Sequence, residues 1–116
     1  MDYIRQIVIK HHALLNSIPH EERQRMALIG DGIWKGIAAS CAAKKDIRAK
    51  EMGELITSLI CNKTMARFFP RQFITCYSGL INEKTNGTFF EAAIYLEYNQ
   101  YGFNYIQEKV HEGLIF

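Results

Sequence analysis

The sequence predicts an all-α fold built as one domain over 1–116, and three observations carry that reading. Apolar residues recur at spacings of three and four almost throughout, and sustained strand-type alternation is hard to find. A chain of 116 residues with 48% apolar content can bury one sizeable core but not two. No repeat, low-complexity tract or linker interrupts it.

Taken in order, the first helix is expected from Tyr3 to Asn16, with Ile4, Ile7, Val8 and Leu15 as its buried stripe. Ser17 and Pro19 then restart the chain, serine as a cap and proline in a first turn. A long helix follows from Glu21 to about Ala43, striped by Met26, Ile29, Ile33 and Ile37, with Glu21 and Glu22 at its positive end. Asp46 is the expected cap of a third helix carrying Met52, Leu55, Leu59 and Ile60, and Asn62 that of a short helix through Thr64 to Phe69, stopped by Pro70. One more short helix is expected over 71–82. The stretch NEKTNG, Asn82 to Gly87, reads as a loop, followed by helices Thr88 to Asn99 and Phe103 to about Gly113, broken near Gly102.

Composition excludes several classes of function. No apolar run approaches the ~20 residues that cross a bilayer, so no membrane partner is expected. The start MDYIRQIVIKHH lacks the apolar block and cleavage site of a secretory signal. The expected location is therefore intracellular, cytoplasmic or in an organellar matrix, and not secreted. Cys41, Cys61 and Cys76 are odd in number and without CxxC spacing, which indicates neither a disulfide framework nor a zinc site. His11, His12, His20 and His111 lack HExxH spacing, Ser40 and Ser58 lack a GxSxG context, and IGDG has no lysine-serine ending of a phosphate loop. His11 is read as structural. Net charge is only +2, yet Lys35, Lys44, Lys45, Arg48, Lys50, Lys63, Arg67 and Arg71 face only Asp46, Glu51 and Glu54 in the middle of the chain. A basic middle can meet phosphate, and it can equally be a set of solvated helix faces. Tyr95, Tyr98, Tyr101, Phe103 and Tyr105 could stack on single strands, but core and subunit interface is the preferred reading.

One stretch asks for a chemical explanation. In ALIGDGIW, residues 27 to 34, an acid stands between two glycines in an apolar run. Two glycines in a helix interior cost roughly 2 kcal/mol together relative to alanines, and a buried unpaired carboxylate costs more. A hairpin turn at Asp31-Gly32 would need alternating strands on both sides, whereas the flanks have helical spacing, so the stretch is read as helix. Ala27, Asp31, Trp34 and Lys35 then share a face. Glu91, in GTFFEAAIYL, is a second acid in comparable surroundings. Two carboxylates projecting inward from packed helices suit a hard cation with oxygen ligands. Periodicity alone leaves open a structural role for each, with a cap or an arginine as partner.

The wording of these segments resembles the ribonuclease III family, in order along most of the chain. That family's pattern NERLEFLGDxxL is echoed by RQRMALIGDGIW, with Arg25, Gly30 and Asp31 at the same offsets. LVSNKxLA is similar to LICNKTMA (59–66), and DxxEALIGAIYLD to TFFEAAIYLEY from Thr88; VIKHHAL (8–14) is a weaker echo of ALTHRSY. Where the family has four metal-associated acids, this chain has Ala27, Asp31, Thr88 and Glu91. The short mini ribonuclease III branch, which lacks a double-stranded-RNA-binding domain, reads AYIGD and STAFEAL there, closer to ALIGD and GTFFEAA. The loop before Thr88 is shorter than in that branch, so its RNA contacts are not carried over. A second register, matching AIYLE to AIYLD, would place Thr85 and Thr88 at the acidic positions and imply a dead enzyme.

The resemblance implies a ribonuclease III-like helical bundle pairing as a two-fold homodimer. It implies a Mg²⁺-dependent endoribonuclease, with Mn²⁺ as a substitute, acting on double-stranded or structured RNA. Asp31 and Glu91 would be catalytic and would hold the metal. Asn62 and Lys63, and less directly Lys35 and Arg67, would contact the RNA. The glycines beside Asp31 would permit tight packing and close approach of a phosphodiester. The rival expectation is an inactive module of the same fold that binds RNA or protein, motivated by Ala27 and Thr88. A third is a helical interaction protein without an RNA role.

Overall fold

A computed structural model describes residues 2–67 and 80–113. The elements are α1 (Asp2–Ser17), α2 (His20–Ala43), α3 (Ala49–Ile60), α4 (Asn62–Arg67), α5 (Leu80–Tyr101) and α6 (Phe103–Gly113). No strand occurs among the described residues. The all-α expectation therefore holds, and so does the helical reading of ALIGDGIW, which lies wholly within α2.

Helix α5 is the axis of the molecule. Its most extensive contact is with α2, and α1, α4 and α6 also pack on it. The sequence explains this position: Phe89, Phe90, Ala92, Ala93 and Ile94 are all buried, a run too continuous for a helix with one wet face. Around it lie Ile4, Ile7, Val8 and Leu15 of α1, Trp34, Ile37 and Cys41 of α2, Met65 of α4, and Ile106 and Val110 of α6. The α1 stripe is the expected one. On α2 the stripe is rotated: Ile37 is buried and Met26 and Ile33 are partly buried, but Ile29 is half exposed.

Three expectations about boundaries are corrected. Ser17 does not cap α2; it belongs to α1, where its hydroxyl donates back to the carbonyl of Leu14 (2.7 Å). Pro19 takes the N-cap place, its carbonyl accepting from the Arg23 amide (3.1 Å), and the Arg23 guanidinium donates to the carbonyl of Leu15 (2.8 Å). An orphan carbonyl at the end of α1 is thus satisfied by the next helix. Asp46 does not cap α3: it lies in the connection, Arg48 is the N-cap, and no side chain bonds there.

The largest correction is NEKTNG, which is not a loop but part of α5. Asn86 and Gly87 are buried, and the Thr88 hydroxyl bonds back to the carbonyl of Lys84 (3.0 Å), absorbing a group that would otherwise compete with the helix. Burial against the rest of the bundle outweighs weak local propensity. The short helix expected over 71–82 lies outside the described residues at 71–79, while 80–82 are already α5. Residues 68–70, with the expected stop at Pro70, also lie outside them. The break at Gly102 is present, and its φ of +84° is a left-handed conformation that favours glycine.

Candidate functional site

Helices α2 and α5 approach so closely at Gly30 that a Cβ placed there would run into the carbonyl oxygen of Glu91. Only glycine admits that contact. The neighbour of Gly30 in sequence is Asp31, and the carbonyl it touches belongs to Glu91. The glycine therefore sets the spacing that brings the two acids together. Gly32 has no such role, since a Cβ there would meet nothing within 4 Å. The expectation that both glycines serve packing holds for Gly30 alone.

The carboxyl groups of Asp31 and Glu91 lie close enough to perturb each other, Glu91 upward and Asp31 downward, the pattern of two acids that share one proton. Burial, reinforced by the hydrogen bond and charge of Asp31, pushes the Glu91 carboxyl up to about 8. The hydrogen bond from Glu91, aided by Lys35, holds Asp31 below its ordinary value. Lys35, one turn on along α2, places Nζ 2.9 Å from Asp31 Oδ2, and the carboxylate raises its ammonium above the usual lysine value. The arrangement is a proton and an ammonium neutralising two acids.

These acids open onto a cleft of about 440 Å³ lined by Gln24, Ala27, Leu28, Asp31, Ile60, Met65, Thr88 and Glu91. One wall is positioned by Trp34, whose indole N–H donates to the carbonyl of Leu59 (2.9 Å) and whose ring meets Phe90 edge-on at 5.0 Å. That bond holds the end of α3 on α2, so that Ile60 and then Met65 of α4 face the acids. Ala27 and Thr88, neither of them acidic, line the same cleft as Asp31 and Glu91. Among the described residues, no set of three or more His, Cys, Asp or Glu side chains is placed to hold one metal ion. The donor set is a pair of carboxylates, all oxygen, beside a volume with room for water. Oxygen-only ligands and space for retained waters suit Mg²⁺ or Mn²⁺ rather than a soft metal.

The other candidate residues are placed differently. Lys35 is half exposed at the rim, bound to Asp31. Asn62 and Lys63 begin α4, beside the cleft wall, but their side chains lie outside the described part of the structure. Arg67 is exposed at the end of α4. Among the tyrosines, Tyr98, Tyr101 and Tyr105 are exposed rather than core, and Tyr101 and Tyr105 stack at 4.5 Å. Cys41 is a buried thiol, pushed up by burial, and Cys61 an exposed one. Cys76 lies outside the described residues.

Sequence reading missed a buried acid away from the cleft. Glu97 is almost fully enclosed, and its carboxylate accepts from the Tyr3 hydroxyl (2.9 Å) and Lys10 Nζ (3.1 Å) and pairs with His11 Nε2 (3.0 Å). These partners hold the carboxyl below the ordinary range against the opposing effect of burial. The expected structural role of His11 fits this cluster, which clasps α1 to α5. No spacing could have revealed it, because its members come from opposite ends of the chain. No family model, curated protein or solved structure matches the chain.

Proposed function

We propose that the chain is a ribonuclease III-like, Mg²⁺-dependent endoribonuclease acting on double-stranded or structured RNA, with Asp31 and Glu91 as its catalytic acids. The carrying observation is that these two carboxyls, from helices far apart in sequence, line one cleft and shift each other's hold on a proton. They would hold the metal ion in place of the proton they share. When bound, Mg²⁺ would neutralise charge on the phosphoryl oxygens and supply an activated water, with Mn²⁺ able to substitute.

The chain's own groups do the rest. Gly30 fixes the approach of the two acids, and Ile60 and Met65 give the cleft an apolar wall that strengthens charge interactions inside it. Lys35 stands at the rim, and Lys63, Asn62 and Arg67 on α4 are the candidates for backbone contacts to an A-form duplex, which is recognised by phosphate and 2′-hydroxyl. A second copy of the chain would complete a two-sided groove for the duplex.

The test is incubation of a long RNA duplex with Mg²⁺ and the wild type, Asp31→Asn or Glu91→Gln. Cleavage by the wild type should fall by at least 100-fold in either variant, on the order of what a lost charge-stabilising group costs. Cleavage indifferent to both substitutions rejects the assignment. A second reading, an inert RNA-binding module of the same fold, draws on Ala27 and Thr88, which leave the cleft with half the acids of the family pattern. Salt-dependent retention of duplex without strand breakage, in Mg²⁺ and in Mn²⁺, would select it.

A further inference from the structure

We infer that Lys35 is the built-in cation of a one-ion site, supplying the positive charge that retains the phosphodiester; the inference rests on the nuclease reading above. Among the described residues, the cleft presents two carboxylates, Asp31 and Glu91, while Ala27 and Thr88 contribute no charge. One divalent ion cancels two negative charges. A site so balanced would hold an anionic substrate through the ion's open coordination positions alone, with no net positive charge behind them. Lys35 changes the sum: its Nζ lies 2.9 Å from Asp31 Oδ2, and its charge is felt by Glu91 as well. With the ammonium counted, the loaded site carries one positive charge in excess, equal and opposite to the single negative charge of a phosphodiester.

Placement supports the role. Lys35 is not among the residues lining the cleft but stands one turn further along α2, with 53% of its side chain exposed and its ammonium on the acid. An ammonium on a flexible stem has three rotatable donors. It can keep one on Asp31 and turn another toward a phosphoryl oxygen over the cleft. An exposed pair at i, i+4 adds little to helix stability, so the lysine is held loosely enough to make that second contact.

The test pairs cation binding with cleavage. Calorimetric titration with Mn²⁺ should give one Asp31-dependent ion per wild-type chain. Lys35→Met keeps the apolar stem but removes the charge, and should bind Mn²⁺ about three- to tenfold more tightly, because a nearby positive charge no longer opposes the ion. The same variant should cleave duplex RNA at least tenfold less efficiently in kcat/KM, and Lys35→Arg should return both quantities toward wild type. Circular dichroism melts of each variant check that the fold is kept. Two ions per chain, or a Lys35→Met variant altered in neither quantity or improved in both, overturns the inference and leaves the nuclease reading standing. Absence of any Asp31-dependent ion from the wild type overturns both.

Discussion

Glu91 is the side chain whose surroundings alter it most within the cleft. Its carboxyl is raised from 4.5 to about 8, by burial first and then by the hydrogen bond and charge of Asp31. Between those two values the folded chain holds a proton that the unfolded chain has released. The contribution of Glu91 to stability is therefore full at and below the ordinary carboxyl value and is lost as pH rises through about 8. In buffer free of divalent cations, urea titrations from pH 5 to pH 8 should show a fall on the order of 1–3 kcal/mol, after discounting for partial exposure of the pair. Glu91→Gln should flatten that slope, since the amide cannot release a proton; a slope surviving in the variant would place its source elsewhere. Asp31 acts in the opposite sense: held below its ordinary value of 3.8, it contributes stability above that value that is lost as pH falls through its lowered one.

Between helices, the decisive contact is backbone against backbone. Gly30 abuts the Glu91 carbonyl while Gly32, two residues on, faces open space. The two glycines should answer oppositely to the same change. Gly32→Ala should stabilise by up to about 1 kcal/mol through helix propensity, whereas Gly30→Ala must push α2 and α5 apart and should cost about 3 kcal/mol or more. Equal effects in chemical denaturation would show that the helices do not meet at Gly30. The same pair of helices explains why NEKTNG is helix although its composition suits a loop. Asparagine, threonine and glycine favour turns when their polar groups are left to bond locally, but here Thr88 bonds within the helix and Asn86 and Gly87 are enclosed by packing. Local composition carried no sign of those neighbours.

For the molecule as a whole, the exposed apolar side chains are the informative feature. Leu28 is 75% and Ile29 50% exposed on α2. Ile29 lines, with Met26 and Tyr95, an open groove of about 500 Å³ edged by Glu21, Glu22 and Arg25. Acidic and basic groups on one patch can face their opposites across a two-fold axis. Sedimentation at micromolar concentration should give the mass of two chains, and Ile29→Glu should return the mass of one without loss of helix content. A wild type that sediments as one chain at every concentration removes the two-sided groove from the proposed function. No helix among the described residues is long and apolar enough to cross a membrane.

The features legible from residue order alone are local: helical spacing, the break at Gly102, the stripe of α1, and an acid flanked by glycines. Those are properties of residues within a turn or two of one another, where a 3.6-residue period and backbone sterics dominate. The packing of the helices fixes the rest: that Gly30 and not Gly32 is the packing glycine, that Asp31 lies beside Glu91 and Lys35, that Ala27 and Thr88 share their cleft, and that Glu97 clasps α1. Contacts between distant parts of a chain depend on how the helices are rotated and spaced against one another. A single backbone approach, α2 on α5, sets that rotation and spacing for the whole site.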